Sequence, residues 1–396
     1  MEVPSGVLQF RIDGQHKRAR AATMTLGHGE VQTPVFMPVG TQGSVKGLTN
    51  EQVGAGGLGV QIILGNTYHL GHRPGGDVVE SLGGLHRMMG WRGNLLTDSG
   101  GFQMVSLLKL AEVTEEGVTF QSPHDGSRMV LTPEHSMRLQ HQIGSDIVMQ
   151  LDDVVSSLER GPRLEEAMLR SVRWLDRCLV AHAPRAARQN LFAIIQGGLD
   201  PALRARCVEA MVQRDVPGFA IGGLSGGEAK DEFWRTVHLV APLLPPHKPR
   251  YVMGVGYAED LVVCTALGCD MYDCVFPTRT ARFGTALTFA GPLNLKQAQF
   301  ASDLGPLDPS CRCAVCARYS RAFLHRGAGR APEAGQLLSL HNLFFQKDLM
   351  GRQRAAILAG RYDEWVRGFL AERFQGAPPQ WVVDALTAAG IELTPA

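Results

Sequence analysis

The sequence predicts an α/β fold, a (β/α)8 barrel with a small subdomain inserted near the C-terminus. Three observations carry that expectation. Short, almost continuous apolar runs recur along the 396 residues. Each run ends in glycine or a polar residue, and a helix-like stretch follows. The runs number eight. Near-continuous apolar runs suit strands buried on both faces, as in a parallel sheet. Eight strand-then-helix units can close into a barrel. The same alternation also permits an open doubly wound sheet.

Residues 1–33 read as an extension packing on the barrel. The eight runs are Pro34–Val39, Gln61–Leu64, Asn94–Asp98, Ile147–Asp152, Leu191–Gln196, Gly218–Gly222, Tyr251–Gly254 and Met271–Val275. Thr49-Asn50-Glu51-Gln52 reads as a capping box, since the Thr hydroxyl and Gln amide can satisfy orphan N–H groups. Thr132-Pro133 puts proline at a first helical position. Pro201–Met211 and Ala258–Leu267 are further amphipathic candidates. Val118–Gln121 and Arg128–Leu131 flank an Asp125-Gly126 turn, which predicts a hairpin inserted at about 113–131. The Pro-rich stretch Pro242–Pro249 reads as a connector. The barrel is expected over 34–299, the inserted subdomain over 300–345, and helices completing the barrel over 346–396.

Composition narrows the class. Hydrophobic residues are 44% and charged residues 19%, enough for a sizeable core and unlike a disordered chain. Lys+Arg 39 against Asp+Glu 38 gives a net charge of +1, so a nucleic-acid site must be a local patch and not a uniformly basic coat. No run approaches the length of a membrane span, and Met1–Phe10 lacks the pattern of a secretory signal. A reduced, cytoplasmic setting is expected, so the eight cysteines are not read as disulfides.

Three of those cysteines form Cys311-Arg312-Cys313-Ala314-Val315-Cys316, a C-x-C-x2-C cluster. Three thiolates this close can take three corners of a tetrahedron around Zn²⁺, with a fourth N or S ligand closing it. His341 is the choice for the fourth, and His325 is the nearer competitor. Four ligands leave no open position, so a zinc-binding subdomain of structural role is expected.

In a (β/α)8 barrel the chemistry sits at the C-terminal strand ends. The third run ends Thr97-Asp98-Ser99-Gly100-Gly101-Phe102-Gln103, the fourth Gln150-Leu151-Asp152-Asp153 and the fifth Ile195-Gln196-Gly197-Gly198. The sixth ends Ile221-Gly222-Gly223-Leu224-Ser225-Gly226-Gly227, and the eighth carries Asp270-Met271-Tyr272-Asp273-Cys274. Converging carboxylates from three strands, with glycine-rich loops between, describe a pocket where a ligand touches backbone. One carboxylate can attack carbon while another handles protons. Asp152 and Gln196 can read the edge of a planar polar ligand. Any one of these aspartates alone is as well read as a helix N-cap, and Asp153 is left as one. A phosphate loop at Gly222–Gly227 is the rival reading, but that stretch matches neither nucleotide-binding glycine motif. After Asp273 comes Pro277-Thr278-Arg279-Thr280-Ala281-Arg282, whose two arginines suit phosphate or base contacts. Arg312, Arg318, Arg321, Arg326 and Arg330 cluster around the cysteines.

Together these motifs closely resemble those of tRNA-guanine transglycosylases, over about Thr33 to His341. The set comprises Thr97–Gln103, Ile195–Gly198, Gly222–Glu228, Asp273–Arg279 and the cysteine cluster. Within the family the chain is similar to the eukaryotic queuine-inserting catalytic subunit. Val154 and Gly226 resemble the queuine-type pocket, where bacterial relatives carry a Cys and a bulkier Val. The stretch from Cys316 to His341 is about one residue shorter than in relatives. The full aspartate set disfavours the non-catalytic paralogous subunit. The 55 residues after His341 leave no room for archaeal RNA-binding domains.

The resemblance implies exchange of guanine for queuine at wobble position 34 of tRNAs with a GUN anticodon (those for Asp, Asn, His and Tyr). It makes Asp273 the nucleophile on the ribose C1′ and Asp98 the general acid/base, the logic of retaining glycosidases with a base in place of water. The base is expected against Ser99, Gly100, Gly101, Asp152, Gln196 and Gly223, between Phe102 and Met253 as apolar walls. RNA contacts are expected along Gly254-Val255-Gly256-Tyr257-Ala258-Glu259-Asp260 and at Thr278, Arg279, Thr280, Ala281 and Arg282. Asn66 can orient Asp98 or simply make a turn. The resemblance also implies a heterodimer with the paralogous subunit and allows association with the mitochondrial outer membrane. A sugar-directed glycosidase on the same barrel is the other enzymatic alternative, disfavoured by the lack of Trp platforms.

Overall fold

The computed structural model describes residues 7–101, 112–121 and 128–394. Its chain opens with an antiparallel sheet of β1 (Gln9–His16), β2 (Ala19–Leu26) and β3 (Gly29–Thr33). Then come the eight predicted runs, interrupted once. They are β4 (Val35–Gly40), β5 (Ile62–Gly65), β6 (Asn94–Thr97), and, after an insertion, β10 (Ile147–Met149), β11 (Asn190–Ile195), β12 (Gly218–Ile221), β13 (Arg250–Val252) and β14 (Met271–Cys274). Neighbours pair in parallel, and β14 pairs with β4, so the sheet closes on itself. The fold is a (β/α)8, or TIM, barrel, and the open-sheet alternative is excluded by that closing pair.

The insertion between β6 and β10 holds β7 (Glu112–Val113), β8 (Val118–Gln121) and β9 (Arg128–Leu131). β8 and β9 pair antiparallel as the hairpin reading expected, with β7 as a third strand. The Asp125-Gly126 turn lies outside the described residues. The Thr49 capping box forms with both of its hydrogen bonds. Thr132 caps the Pro133–Ile143 helix, and Asp200 caps the Pro201–Met211 helix. After β14 comes a hairpin of β15 (Thr285–Thr288) and β16 (Gly291–Asn294).

Alternation along the strands builds two cores. Ile62, Leu64, Phe192, Ile194, Ala220, Tyr251 and Met271 fill the barrel interior. Ile63, Ala193, Phe219, Ile221, Val252 and Tyr272 face the surrounding helices. Met24, Leu26 and Val31 of the N-terminal sheet join the interior cluster, so that sheet plugs the barrel at the N-terminal ends of its strands. There Arg20 makes a buried ion pair with Asp270. Asp270, just ahead of β14, thus works at the opposite end of the barrel from Asp273.

The expected boundary between subdomain and final helices at 345 crosses an unbroken helix, Pro332–Leu358. One face of that helix packs in a small separate core with Leu295, Phe300, Leu307, Val315 and Leu324, through Leu338. Farther along, Leu343, Phe345 and Leu349 belong to the main core. A helix long enough to serve both cores has no reason to break between them.

At the plugged end, His28 Nδ1 lies 2.7 Å from Asp146 and His86 Nε2 lies 3.2 Å from its other oxygen. The Leu95 N–H also donates to Asp146, at 2.8 Å. The two rings stack 3.6 Å apart and within 13° of parallel, so their in-plane lone pairs cannot converge on one ion. This is a clamp on the N-terminal sheet and not a metal centre. The hydrogen bond to Asp146 raises the His28 pKa above its ordinary value, against the effect of burial. Burial opposes the Asp146 charge, but the two histidines outweigh it and hold that carboxyl below its ordinary range. A raised histidine stabilises fully below its unfolded pKa of about 6.5 and loses that contribution as pH rises through the folded value. His28→Asn should therefore lower Tm more at pH 6 than at pH 8.5. An equal loss at both pH values would refute the clamp.

Candidate active site and metal centre

Three carboxylates reach the mouth of the barrel from three strand ends. Asp98 follows β6, Asp152 stands three residues beyond β10, and Asp273 is the third residue of β14. Strand alternation sets the last of these. Met271 points into the barrel, so Asp273, two residues on, points into the mouth.

Asp98 is held from the neighbouring β5 loop. Asn66 Nδ2 donates to Oδ2 at 2.5 Å, and the Thr67 N–H donates to Oδ1 at 2.9 Å. The Gly100 N–H donates to Oδ1 at 3.2 Å, and the Thr67 hydroxyl donates to the Asp98 carbonyl at 2.5 Å. Asn66 does both things the sequence allowed. Its oxygen caps the Thr67–Leu70 helix by accepting from the His69 N–H, and its amide holds the carboxylate.

Asp273 receives the Tyr251 hydroxyl at 2.5 Å and the Gly254 N–H at 2.9 Å, both on Oδ1. Oδ2 faces no donor among the described residues, and the side chain keeps part of its surface open. Burial pushes the Asp273 carboxyl above its ordinary range, and the two donors pull it back. Burial, then the charges of Asp273 and Asp98, push the Tyr251 hydroxyl well above its ordinary value. Tyr251 therefore stays a donor, and it feels both carboxylates. Sequence reading missed Tyr251 as a site residue. Its signal is a phenol at an interior strand position whose neighbours are otherwise apolar.

Asp152 is buried, 4% exposed. It accepts from Gln196 Nε2 at 2.7 Å and from the Ser99 hydroxyl at 3.3 Å. Burial pushes its carboxyl up to about 6. Gly223 closes this polar edge. Its φ is +67°, and a Cβ there would meet Gln196 Oε1 at 2.3 Å, so only glycine fits. The same construction at Gly222 comes within 3.5 Å of the Met253 sulfur, which places Met253 beside the edge. Gly101 lies at the same lip, its N–H on the Ser99 hydroxyl. Phe102, the other expected wall, lies outside the described residues. Asp153 is an anchor, bonded to Arg163 and Arg170.

The expected RNA-contact segments divide by burial. Val255, Gly256, Ala258, Asp260, Thr278 and Ala281 are buried and Glu259 and Thr280 half-buried, which leaves Gly254, Tyr257, Arg279 and Arg282 turned outward. Glu259 pairs with Arg373. A helix exposes one face, and here the Phe276–Arg282 helix exposes its two arginines.

The second centre lies in the small lobe. The sulfurs of Cys311, Cys313 and Cys316 stand 3.8, 3.4 and 3.4 Å from His341 Nδ1. All four ligand atoms lie within 4.8 Å of one another, a metal-binding Cys3His site. His341 Nε2 is 2.8 Å from the Leu287 carbonyl, the outer contact that fixes which nitrogen faces the metal. His325 is ruled out as the fourth ligand, because its ring points to the Leu295 carbonyl at 2.6 Å. One stretch of the long helix links the two centres. His341 serves the metal site, Asn342 donates to the Pro277 carbonyl at 3.0 Å, and Gln346 donates to the Gly256 carbonyl at 2.7 Å.

A closed parallel barrel with three carboxylates at its mouth, beside a lobe carrying a Cys3His set, is the architecture of a barrel enzyme. The family model for queuine tRNA-ribosyltransferase matches residues 14–375, and the chain belongs to that enzyme family. It is 53% identical to the queuine tRNA-ribosyltransferase catalytic subunit of Schizosaccharomyces pombe, over 98% of each chain. It is 49% identical to the protein of that name from Caenorhabditis elegans, over 95% of this chain and 97% of the relative. It is also 46% identical to a queuine tRNA-ribosyltransferase of Thermus thermophilus, over 96% of this chain and 98% of the relative. No helix among the described residues is long and apolar enough to cross a membrane.

Proposed function

We propose that this enzyme exchanges guanine for queuine at position 34 of GUN-anticodon tRNAs. The observation that carries the reading is the pairing of Asp98 and Asp273 at one barrel mouth, with the Asp152–Gln196 edge beside them. Asp273 Oδ2 attacks C1′ of the ribose, and the C1′–N9 bond breaks with its electron pair leaving on guanine, which takes a proton from Asp98 as it departs. A covalent tRNA–enzyme ester remains. The incoming base gives its proton to Asp98 and displaces the carboxylate, restoring a glycosidic bond. Two displacements retain the ribose configuration, as in two-carboxylate glycosidases. Tyr251 and Gly254 hold the attacking carboxylate by its other oxygen, so little reorientation is needed.

The base would lie with its N–H edge on Asp152, which is mostly ionised above about pH 6. Gln196 and the Gly223 backbone complete that edge, with Ser99, Gly100 and Gly101 at the lip and Met253 as a wall. In the free pocket Asp152 and Gln196 bond each other, so they are oriented before the base arrives. The target nucleotide must leave its stack to enter, at a cost of a few kcal/mol. Phosphate contacts by Arg279 and Arg282 would offset this.

The Cys3His set suits Zn²⁺, a borderline-soft ion of tetrahedral preference. Four protein ligands leave no open position, so the ion would be structural. Action with a paralogous subunit, in the cytoplasm or at the mitochondrial surface, completes the reading. The test is exchange of labelled guanine into tRNA with a GUN anticodon, with a tRNA of another anticodon as control. Incorporation into the first alone is expected; equal or no incorporation would overturn the reading.

A further inference from the structure

We propose that Lys230 is a positioning residue for tRNA docking, acting through the exposed ring of Tyr257; this rests on the function proposed above. Lys230 is the first residue of the helix Lys230–Val240, where a cation faces the positive end of the helix dipole. Something other than helix stability must keep it there. Its ammonium lies 2.5 Å from Asp260 Oδ2, and the Asp260 side chain is only 5% exposed. The ammonium also stands over three rings, 5.1 Å from the centroid of Tyr257 and 5.6 Å from those of Phe233 and Trp381. Such contacts attract a cation to each ring face.

The cage joins elements distant in sequence. Asp260 lies in the first turn of the Ala258–Ala266 helix, directly after the turn that carries Gly254 and Tyr257. Gly254 donates to Asp273, and Tyr257 packs on Phe276 at 4.4 Å, at the start of the helix bearing Arg279 and Arg282. Tyr257 is 48% exposed. Its ring is flanked by Phe276 on one side and the Lys230 ammonium on another. A ring held this way offers an unstacked base a platform with no ordering cost at binding. Without the ammonium the turn must be ordered by the RNA itself. Gly254 keeps its own bond to the nucleophile, so docking suffers and the chemical step does not.

The test compares steady-state guanine exchange by wild type, Lys230→Met, Lys230→Arg, Tyr257→Ala and the Lys230→Met/Tyr257→Ala double variant. Lys230→Met should raise KM for tRNA about tenfold with kcat within about threefold, the signature of lost uniform binding. Lys230→Arg, which keeps the charge over the rings, should stay within about threefold of wild-type KM. The double variant should be no worse than Tyr257→Ala, because both changes remove one effect. KM within twofold of wild type in folded Lys230→Met, or singles whose effects multiply in the double, would overturn the proposal. If Asp260 left unpaired prevents folding, Lys230→Met/Asp260→Asn replaces the single variant with the same two outcomes. No exchange by wild type would instead overturn the functional reading beneath it.

Discussion

Asp273→Ala should lose base exchange by on the order of 10⁴-fold or more, with the fold intact. No neighbour can take over. Tyr251 is the nearest polar group and is held protonated by burial and by the carboxylate charges. Asp98 is tied by Asn66, Thr67 and Gly100 on another strand. The decisive readout is a covalent band on a denaturing gel. Wild type incubated with GUN tRNA should show a shifted species, and Asp273→Ala should not. Asp273→Glu should fail as well, because one added methylene moves the attacking oxygen away from the place that Tyr251 and Gly254 define. A shifted band in Asp273→Ala would place the nucleophile elsewhere.

Cys313→Ala should release the bound metal and unfold the small lobe while the barrel stays folded. The lobe has its own core, built from few residues, among them Cys313 itself. So small a core rarely sustains a fold without a metal or disulfide. In small structural zinc sites the binding energy is folding energy, on the order of 10 kcal/mol. The barrel rests on two other clusters that do not include these ligands' sulfurs. Metal content by mass spectrometry should fall from one ion per chain to none. Amide exchange should rise across 303–330 and stay slow in the barrel strands. The tRNA KM should rise too, because the helix carrying His341 also bonds Pro277 and Gly256, beside the exposed Tyr257, Arg279 and Arg282. Retained metal in the purified variant would refute the ligand assignment.

Much of this is legible in the residues alone. The barrel can be read because parallel strands buried on both faces leave uninterrupted apolar runs. The run ends fall within a residue or two of the strand ends except in β10, which stops at Met149 where the run continued to Asp152. The carboxylates stand out as polar residues ending apolar runs, and the C-x-C-x2-C spacing announces a metal. Burial within the segments expected to contact RNA could not be read. Thr278 and Arg279 are adjacent in sequence, but a helix turns one inward and the other out.

By itself the sequence determined the eight-fold repeat, the three aspartates and the three cysteines, because each is a local pattern of residue type and spacing. Tertiary structure alone decided which histidine closes the metal site, that Tyr251 grips Asp273, and that Lys230 reaches across to Asp260. Those pairings join residues from 22 to 30 positions apart. Such contacts depend on barrel closure and helix packing, which set distances in space that no local spacing encodes.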